Sequence, residues 1–128
     1  MTKLSSFRDL DVWKRSHQLV LFVYKETSMF PSSEQFGLTN QLRRASVSIT
    51  SNIAEGFARH NFKEKLQFYY VALGSLTEVS SQIEIAKDIG YTNLNKYDEL
   101  YGLCNEVGRL LRSLIRSTQA KIIEGNNK

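Results

Sequence analysis

Apolar residues recur along the chain at spacings of three and four and nowhere alternate with polar ones over a strand's length, so the pattern predicts an all-α protein. Four helical segments carry it, over 9–28, 38–58, 62–88 and 95–119, with 1–6 and 120–128 expected to fray. In the first, Leu10, Trp13, His17, Val20, Leu21 and Tyr24 mark the expected core stripe, and Phe30-Pro31 ends the segment because proline disfavours helical geometry in the residue before it. Ser32 and Ser33, followed by Glu34 and Gln35, read as a capped turn leading through Gly37 into the second helix, whose core face is Leu38, Leu42, Ala45, Ile49 and Ile53. Asn61 caps the third with Glu64 at its third position, Leu66, Tyr69, Leu73, Leu76 and Ile83 form its core stripe, and Gly90 is the expected left-handed stop. Asn93 or Asn95 caps the fourth, with Tyr97, Leu100, Tyr101, Cys104, Val107, Leu111 and Ile115 inward. Four such helices with short connections predict one domain, an up-and-down antiparallel four-helix bundle.

The pattern holds more apolar surface than one bundle core needs. On the second helix Val47, Ala54 and Ala58 lie opposite the core face, with Thr50 and Ser51 flanking, and no residue from Ala45 to Ala54 is charged. The third helix adds Phe68, Ala72, Val79 and Ala86 to its core stripe, and Glu78 is its only acid or base of ordinary pKa between Leu66 and Ile83. The first adds Val12, Leu19 and Val23. Exposing apolar area costs about 25 cal/mol per Å2, and monomers seldom leave a large patch uncovered, so the expectation is self-association into a ring or barrel. The competing reading is an ordinary surface with scattered small residues. Gln41, Arg44, Ser48, Asn52, Glu55 and Arg59 form a polar stripe beside the core face of the second helix, and Ser75, Glu78 and Gln82 repeat the pitch on the third. Two readings stand: a hydrogen-bonded seam between helices or protomers, with Arg44 pairing Glu78, or a groove for a ligand or nucleic acid.

Composition narrows the functional classes. The chain has 128 residues, 41% hydrophobic and 23% charged with one Pro and seven Gly, which excludes collagen-like, low-complexity and grossly disordered chains. No apolar run approaches the roughly 20 residues of a membrane span and the N-terminal stretch is not of signal-peptide kind, so the expectation is a cytoplasmic protein without a membrane partner. Cys104 stands alone, which rules out an intrachain disulfide and a cysteine metal cluster. His17 and His60 belong to no metal or di-metal motif, and neither glycine-rich phosphate loops nor a GxSxG elbow occurs. His17 reads as a core or interface histidine and His60 as a solvated loop residue. The sequence therefore predicts no enzyme, no metal and no cofactor.

The net charge of +4 permits an acidic partner without demanding one. Two basic clusters are candidates for phosphate contact: Arg43, Arg44, Arg59, His60, Lys63 and Lys65 around the second helix and the next turn, and Arg109, Arg112 and Arg116 on one face of the fourth. A solvated helix surface complementing the C-terminal dipole explains the second cluster equally well. No aromatic interleaving marks base-specific readout.

The stretches Phe7-Arg-Asp-Leu-Asp-Val-Trp-Lys14, Phe30-Pro31, Gly37-Leu-Thr39, Gln41-Leu-Arg-Arg-Ala-Ser-Val-Ser-Ile49, Ser51-Asn-Ile-Ala-Glu-Gly-Phe57 and Gly74-Ser-Leu76 with Glu78 resemble the bacterial four-helix-bundle proteins of the 23S rRNA intervening-sequence family. The resemblance covers about residues 7 to 116, and the Arg43 to Gly56 stretch is its most specific part. It implies a bundle that assembles into a barrel-shaped homopentamer with an axial channel. Members are encoded within intervening sequences of large-subunit ribosomal RNA genes or stand free in bacterial genomes, and the family name records that location. Related bundles are accessory proteins of diversity-generating retroelements that bind nucleic acid and a reverse transcriptase. The expectation is thus a non-enzymatic, self-assembling bundle whose basic surface binds RNA or DNA without strong sequence preference. The alternatives are a scaffold or protein-interaction module and a small-ligand site in a polar channel.

Overall fold

In the structure, a computed structural model that describes residues 4–126, a short 3-10 turn at Phe7–Asp9 leads into four helices: α1 (Asp11–Thr27), α2 (Leu38–Ala58), α3 (Phe62–Ile89) and α4 (Leu94–Asn126). There is no strand among the described residues. Each helix packs on its chain neighbours and α1 closes the square on α4, while the diagonal pairs stay apart. Short connections force adjacent helices antiparallel, as expected for an up-and-down bundle. No described helix is long and apolar enough to cross a membrane.

The ends form where the local chemistry allows. Asn61 accepts from the Lys63 and Glu64 amides at 2.8 and 3.2 Å, and Gly90 takes the left-handed conformation at φ 88° that stops α3. Asn93 accepts from the Lys96 amide at 2.9 Å. Glu34, in the 3-10 turn Ser32–Glu34, reaches forward to accept from the Leu38 amide at 3.1 Å, so a carboxylate meets the first turn of α2.

Two bounds depart from the expectation of frayed ends. Ser5 and Ser6 donate their amides to the Asp9 carboxylate at 3.0 and 3.1 Å, which orders the chain ahead of α1. α4 runs on past Gln119 to Asn126 because Lys121 and Ile122 still have α3 beside them, Lys121 lying over the Phe62 ring. Residues 1–3 and 127–128 of the expected frayed ends lie outside the described residues.

The core is a stack of inward residues at spacings of three and four. On α2 these are Leu38, Leu42, Ala45, Ile49 and Ile53, as the periodicity requires. On α4 they are Leu100, Cys104, Val107, Leu111 and Ile115, while Tyr101 turns out to be half exposed. α1 corrects the expectation: its buried face is Val12, Ser16, Leu19, Val23 and Thr27, whereas Leu21, Tyr24 and His17 point outward. Its supposed surplus is core and part of its supposed core is surface. α3 is corrected in the same sense. Ala72, Val79 and Ala86, expected as extra arc, are at most 1% exposed and alternate with Tyr69, Leu76 and Ile83, while Leu66 and Leu73 are only partly buried. Its outward apolar residues are Phe62, Tyr70, Val71, Ile85 and Ile89 instead.

Candidate functional site

The outer surface of α2 and α3 is where the excess apolar area and the polar stripe meet. Ser48 and Ser75 share a hydroxyl hydrogen bond of 2.8 Å across the two helices, and Asn52 donates to the Ser48 carbonyl at 2.8 Å and to its hydroxyl at 3.0 Å. Above this level a groove of about 380 Å3 is lined by Gln41, Arg44, Ser48, Ser75, Glu78 and Gln82. A second, of about 520 Å3, shares Arg44 and Ser48 with it and runs along Tyr24, Asn40, Arg43, Val47 and Ser51 towards α1. Gln41, Arg44, Ser48 and Asn52 of the stripe thus run along the α2–α3 junction, while Glu55 and Arg59 pair with each other at its end. Arg44 and Glu78 face the same groove, yet among the described residues they form no ion pair within 4.0 Å. Val47 is 38% exposed, and Val71 and Ile85, seven residues before and after Glu78 on its own stripe, are 54% and 48% exposed. Ala54 is half-buried and Ala58 exposed on the same outward side of α2, and Phe68 is partly buried.

The first basic cluster divides in two. Arg43 and Arg59 are separated by sixteen residues of helix, about 24 Å at 1.5 Å per residue. Arg43 is engaged at the end of α1: its Nε donates to Thr27 Oγ1 at 2.9 Å and its guanidinium lies 4.7 Å from the Tyr24 ring centre. Arg59 pairs with Glu55 at 2.9 Å, one helical turn away. Lys65 donates to the Phe57 and Gly56 carbonyls at 2.7 and 3.3 Å, satisfying the last turn of α2. Burial, and then the neighbouring Lys121 ammonium, hold Lys65 below the usual lysine range. Arg43 and Lys65 are therefore occupied by helix ends, and Lys63 with His60 stays exposed in the α2–α3 turn. On α4, Arg109, Arg112 and Arg116 are all exposed, with Arg112 lying along Gly108. Glu106 beside them is clasped by Arg15, whose Nε donates at 2.8 Å, and this guanidinium holds the carboxyl below the usual range.

The fold also gathers aromatic rings that spacing along one helix does not reveal. Arg59 lies 4.8 Å from the Phe68 ring centre, Lys65 5.5 Å from Phe57 and Lys121 5.4 Å from Phe62, all at the end of the bundle formed by the α2–α3 turn and the last turns of α4. The expectation that no aromatic interleaving marks base-specific readout follows from reading along single helices and does not take in these pairings. The signal was in the segment Phe57-Ala-Arg-His-Asn-Phe62-Lys63, which straddles two helices and so escapes a reading by helix faces. His17, expected in a core or interface, is exposed and stacks on Trp13 with ring centres 4.9 Å apart. Among the described residues no three His, Cys, Asp or Glu side chains gather as metal ligands.

The chain is similar to a crystal structure of a protein of unknown function from the S23 ribosomal protein family of Bacteroides thetaiotaomicron, with a TM-score of 0.76 over 82% of this chain and 95% of that one. At 20% identity that likeness shows a shared fold alone. No curated protein matches the sequence. The family described as 23S rRNA-intervening sequence protein matches residues 8–113, which takes in the α2 stripe, the α2–α3 turn and Arg109 and Arg112 on α4, with Arg116 just beyond. With most of its length inside that match, the chain belongs to the 23S rRNA-intervening sequence protein family.

Proposed function

We propose that the protein is a non-enzymatic building block of a homo-oligomer, a homopentamer on the family resemblance, that works in the cytoplasm and presents a basic surface to RNA or DNA without strong sequence preference. The observation that carries the self-assembly is the outer α2–α3 face: Val47, Val71 and Ile85 stand open beside small residues, with Arg44 and Glu78 facing one groove and not joined in an ion pair. A sister copy that covered this face would bury the apolar side chains and give both charges a partner. Repetition of the basic residues around such an assembly multiplies weak phosphate contacts. Arg109, Arg112, Arg116 and Lys63 supply those contacts in this reading, since Arg43 and Lys65 are spent on helix ends.

Light scattering tests the assembly. The wild type is expected at several times 14.7 kDa, and Ala54→Glu, which sets a charge on the outward side of α2, is expected to shift it towards the single subunit with helicity retained. A wild type that stays a single subunit at high concentration overturns the proposal. Fluorescence anisotropy with generic RNA and DNA tests the second half: affinity should fall steeply with added salt and weaken in Arg109→Glu with Arg112→Glu. Affinity indifferent to salt refutes phosphate binding and leaves a scaffold.

A further inference from the structure

The two halves of the bundle differ in charge. Divided at the level of the Ser48–Ser75 bond, the half holding 4–18, 49–75 and 108–126 has ten Lys or Arg and five Asp or Glu, and the half holding 19–48 and 76–107 has five and eight. A polyanion is therefore drawn to one end of the bundle and repelled by the other.

That basic end also carries aromatic rings open to solvent, Phe62 and Tyr70. Phe62 opens α3 and keeps 39% of its surface exposed. It lines a pocket of about 330 Å3 with His60, Lys63, Lys121 and Ile122. Tyr70, 46% exposed, lies two turns further up α3, where Gln119 of α4 donates to its hydroxyl at 2.8 Å. An exposed ring flanked by ammonium groups is the arrangement that takes an unstacked base on the ring and its phosphates on the cations. In a duplex the base faces are covered by their neighbours, so a ring beside a basic pocket is of use only to a single strand.

We propose that the pocket around Phe62 is a binding site for single-stranded nucleic acid, with a base stacked on the Phe62 ring and the adjoining phosphates held by Lys63 and Lys121. This rests on the nucleic-acid reading above and gives it a place and a strand type. Both cations are exposed. Lys121 already lies over the Phe62 ring, so a base arriving there slides between ring and solvent and moves the ammonium outward to the phosphate. The same chemistry serves RNA and DNA.

The test is anisotropy at fixed low salt with a 20-nucleotide RNA, the DNA strand of the same sequence and its duplex, against the full-length wild type, Phe62→Ala, Phe62→Tyr and Lys121→Gln. The single strands are expected to bind at least about tenfold more tightly than the duplex. Base stacking is worth about 1–3 kcal/mol, so Phe62→Ala should lose roughly five- to a hundredfold on single strands, with duplex affinity unchanged and Phe62→Tyr restoring the loss. Lys121→Gln should lessen the salt dependence. A 2-aminopurine base in the strand should be quenched by the wild type and not by Phe62→Ala. Salt-sensitive binding that prefers the duplex, or that Phe62→Ala leaves intact on single strands, overturns this site while sparing the general basic surface. Absence of salt-sensitive binding to any of the three overturns both. A vesicle of anionic lipid bound in preference to all three also overturns it.

Discussion

The Ser48 and Ser75 hydroxyls stand 2.8 Å apart on facing helices, Ser48 half-buried and Ser75 buried, with the Asn52 amide as a further donor to Ser48. The three form the middle of the α2–α3 seam and fix which residues face each other along it. A hydrogen bond of this kind is worth about 1 kcal/mol net, and leaving one partner unsatisfied costs as much or more. Ser48→Ala and Ser75→Ala should each lower stability by about 1 kcal/mol, and the double variant should cost clearly less than the sum, because the second change removes a group already without its partner. Urea unfolding of the four proteins measures this, and additive losses would show that the hydroxyls do not interact.

Gly56 sits where α2 comes nearest to α3. A Cβ there would meet the Tyr69 ring at 2.5 and 2.9 Å, and that ring is only 2% exposed with little room to swing. Gly56→Ala should therefore destabilise by about 1–3 kcal/mol in spite of alanine's better helix propensity. Gly102, inside α4 and with open space around its would-be Cβ, supplies the control: Gly102→Ala should stabilise by about 1 kcal/mol. Thermal or urea unfolding reporting the same sign for both would refute the close-packing account of Gly56.

The Glu34 carboxyl is held below its ordinary range chiefly by the Leu38 amide and then by the Tyr91 hydroxyl, which donates at 2.8 Å, with burial opposing them weakly. Because the folded value is the lower one, the stabilisation is fully present above the ordinary glutamate value of about 4.3 and fades as pH falls through the depressed value. Glu34→Gln should cost stability at pH 7 and show a shallower loss between pH 5 and the acid limit, read from the denaturant midpoint at each pH. Curves that stay parallel down to the lowest pH would sink this assignment.

Cys104 is 5% exposed, and burial pushes its thiol up to about 11. Reaction needs the thiolate and access, so the folded protein should be nearly inert to a disulfide reagent at pH 8 and should react at a rate set by opening of the bundle. Time courses in buffer and in urea distinguish this from an accessible thiol, which would react at once in both.

The readability of the sequence varied with the contrast between helix faces. α4 places charged residues opposite a single apolar stripe, and α2 keeps its large residues Leu38, Leu42, Ile49 and Ile53 on one face with Val47 and small residues opposite, so the inward residues of both follow from spacing. α1 contains Leu19-Val-Leu-Phe-Val-Tyr24, six apolar residues in a row, and such a run has no preferred phase. The buried face includes Ser16 and Thr27, the latter donating its hydroxyl to the Val23 carbonyl at 2.7 Å within the helix, and a rule that looks for apolar stripes discounts both. On α3 alanines 72 and 86 look like surface filler and are core because α2 and α4 approach closely there. The polar seam was legible because Ser48 and Ser75 keep the pitch of their helices. The fate of Arg43 and Lys65 was not, since each is decided by a carbonyl or hydroxyl on another segment of chain.

Of the four joints in the bundle, only that between α1 and α4 links helices that are not successive along the chain, and the Arg15–Glu106 clasp spans 91 positions. Closing so long a loop has the largest entropy cost of any contact in the fold, while the three hairpins assemble from neighbours. This joint is accordingly expected to seal last during folding and to part first, and the amides of α1, the shortest of the four helices at 17 residues, are expected to exchange with deuterium sooner than those of the other three helices.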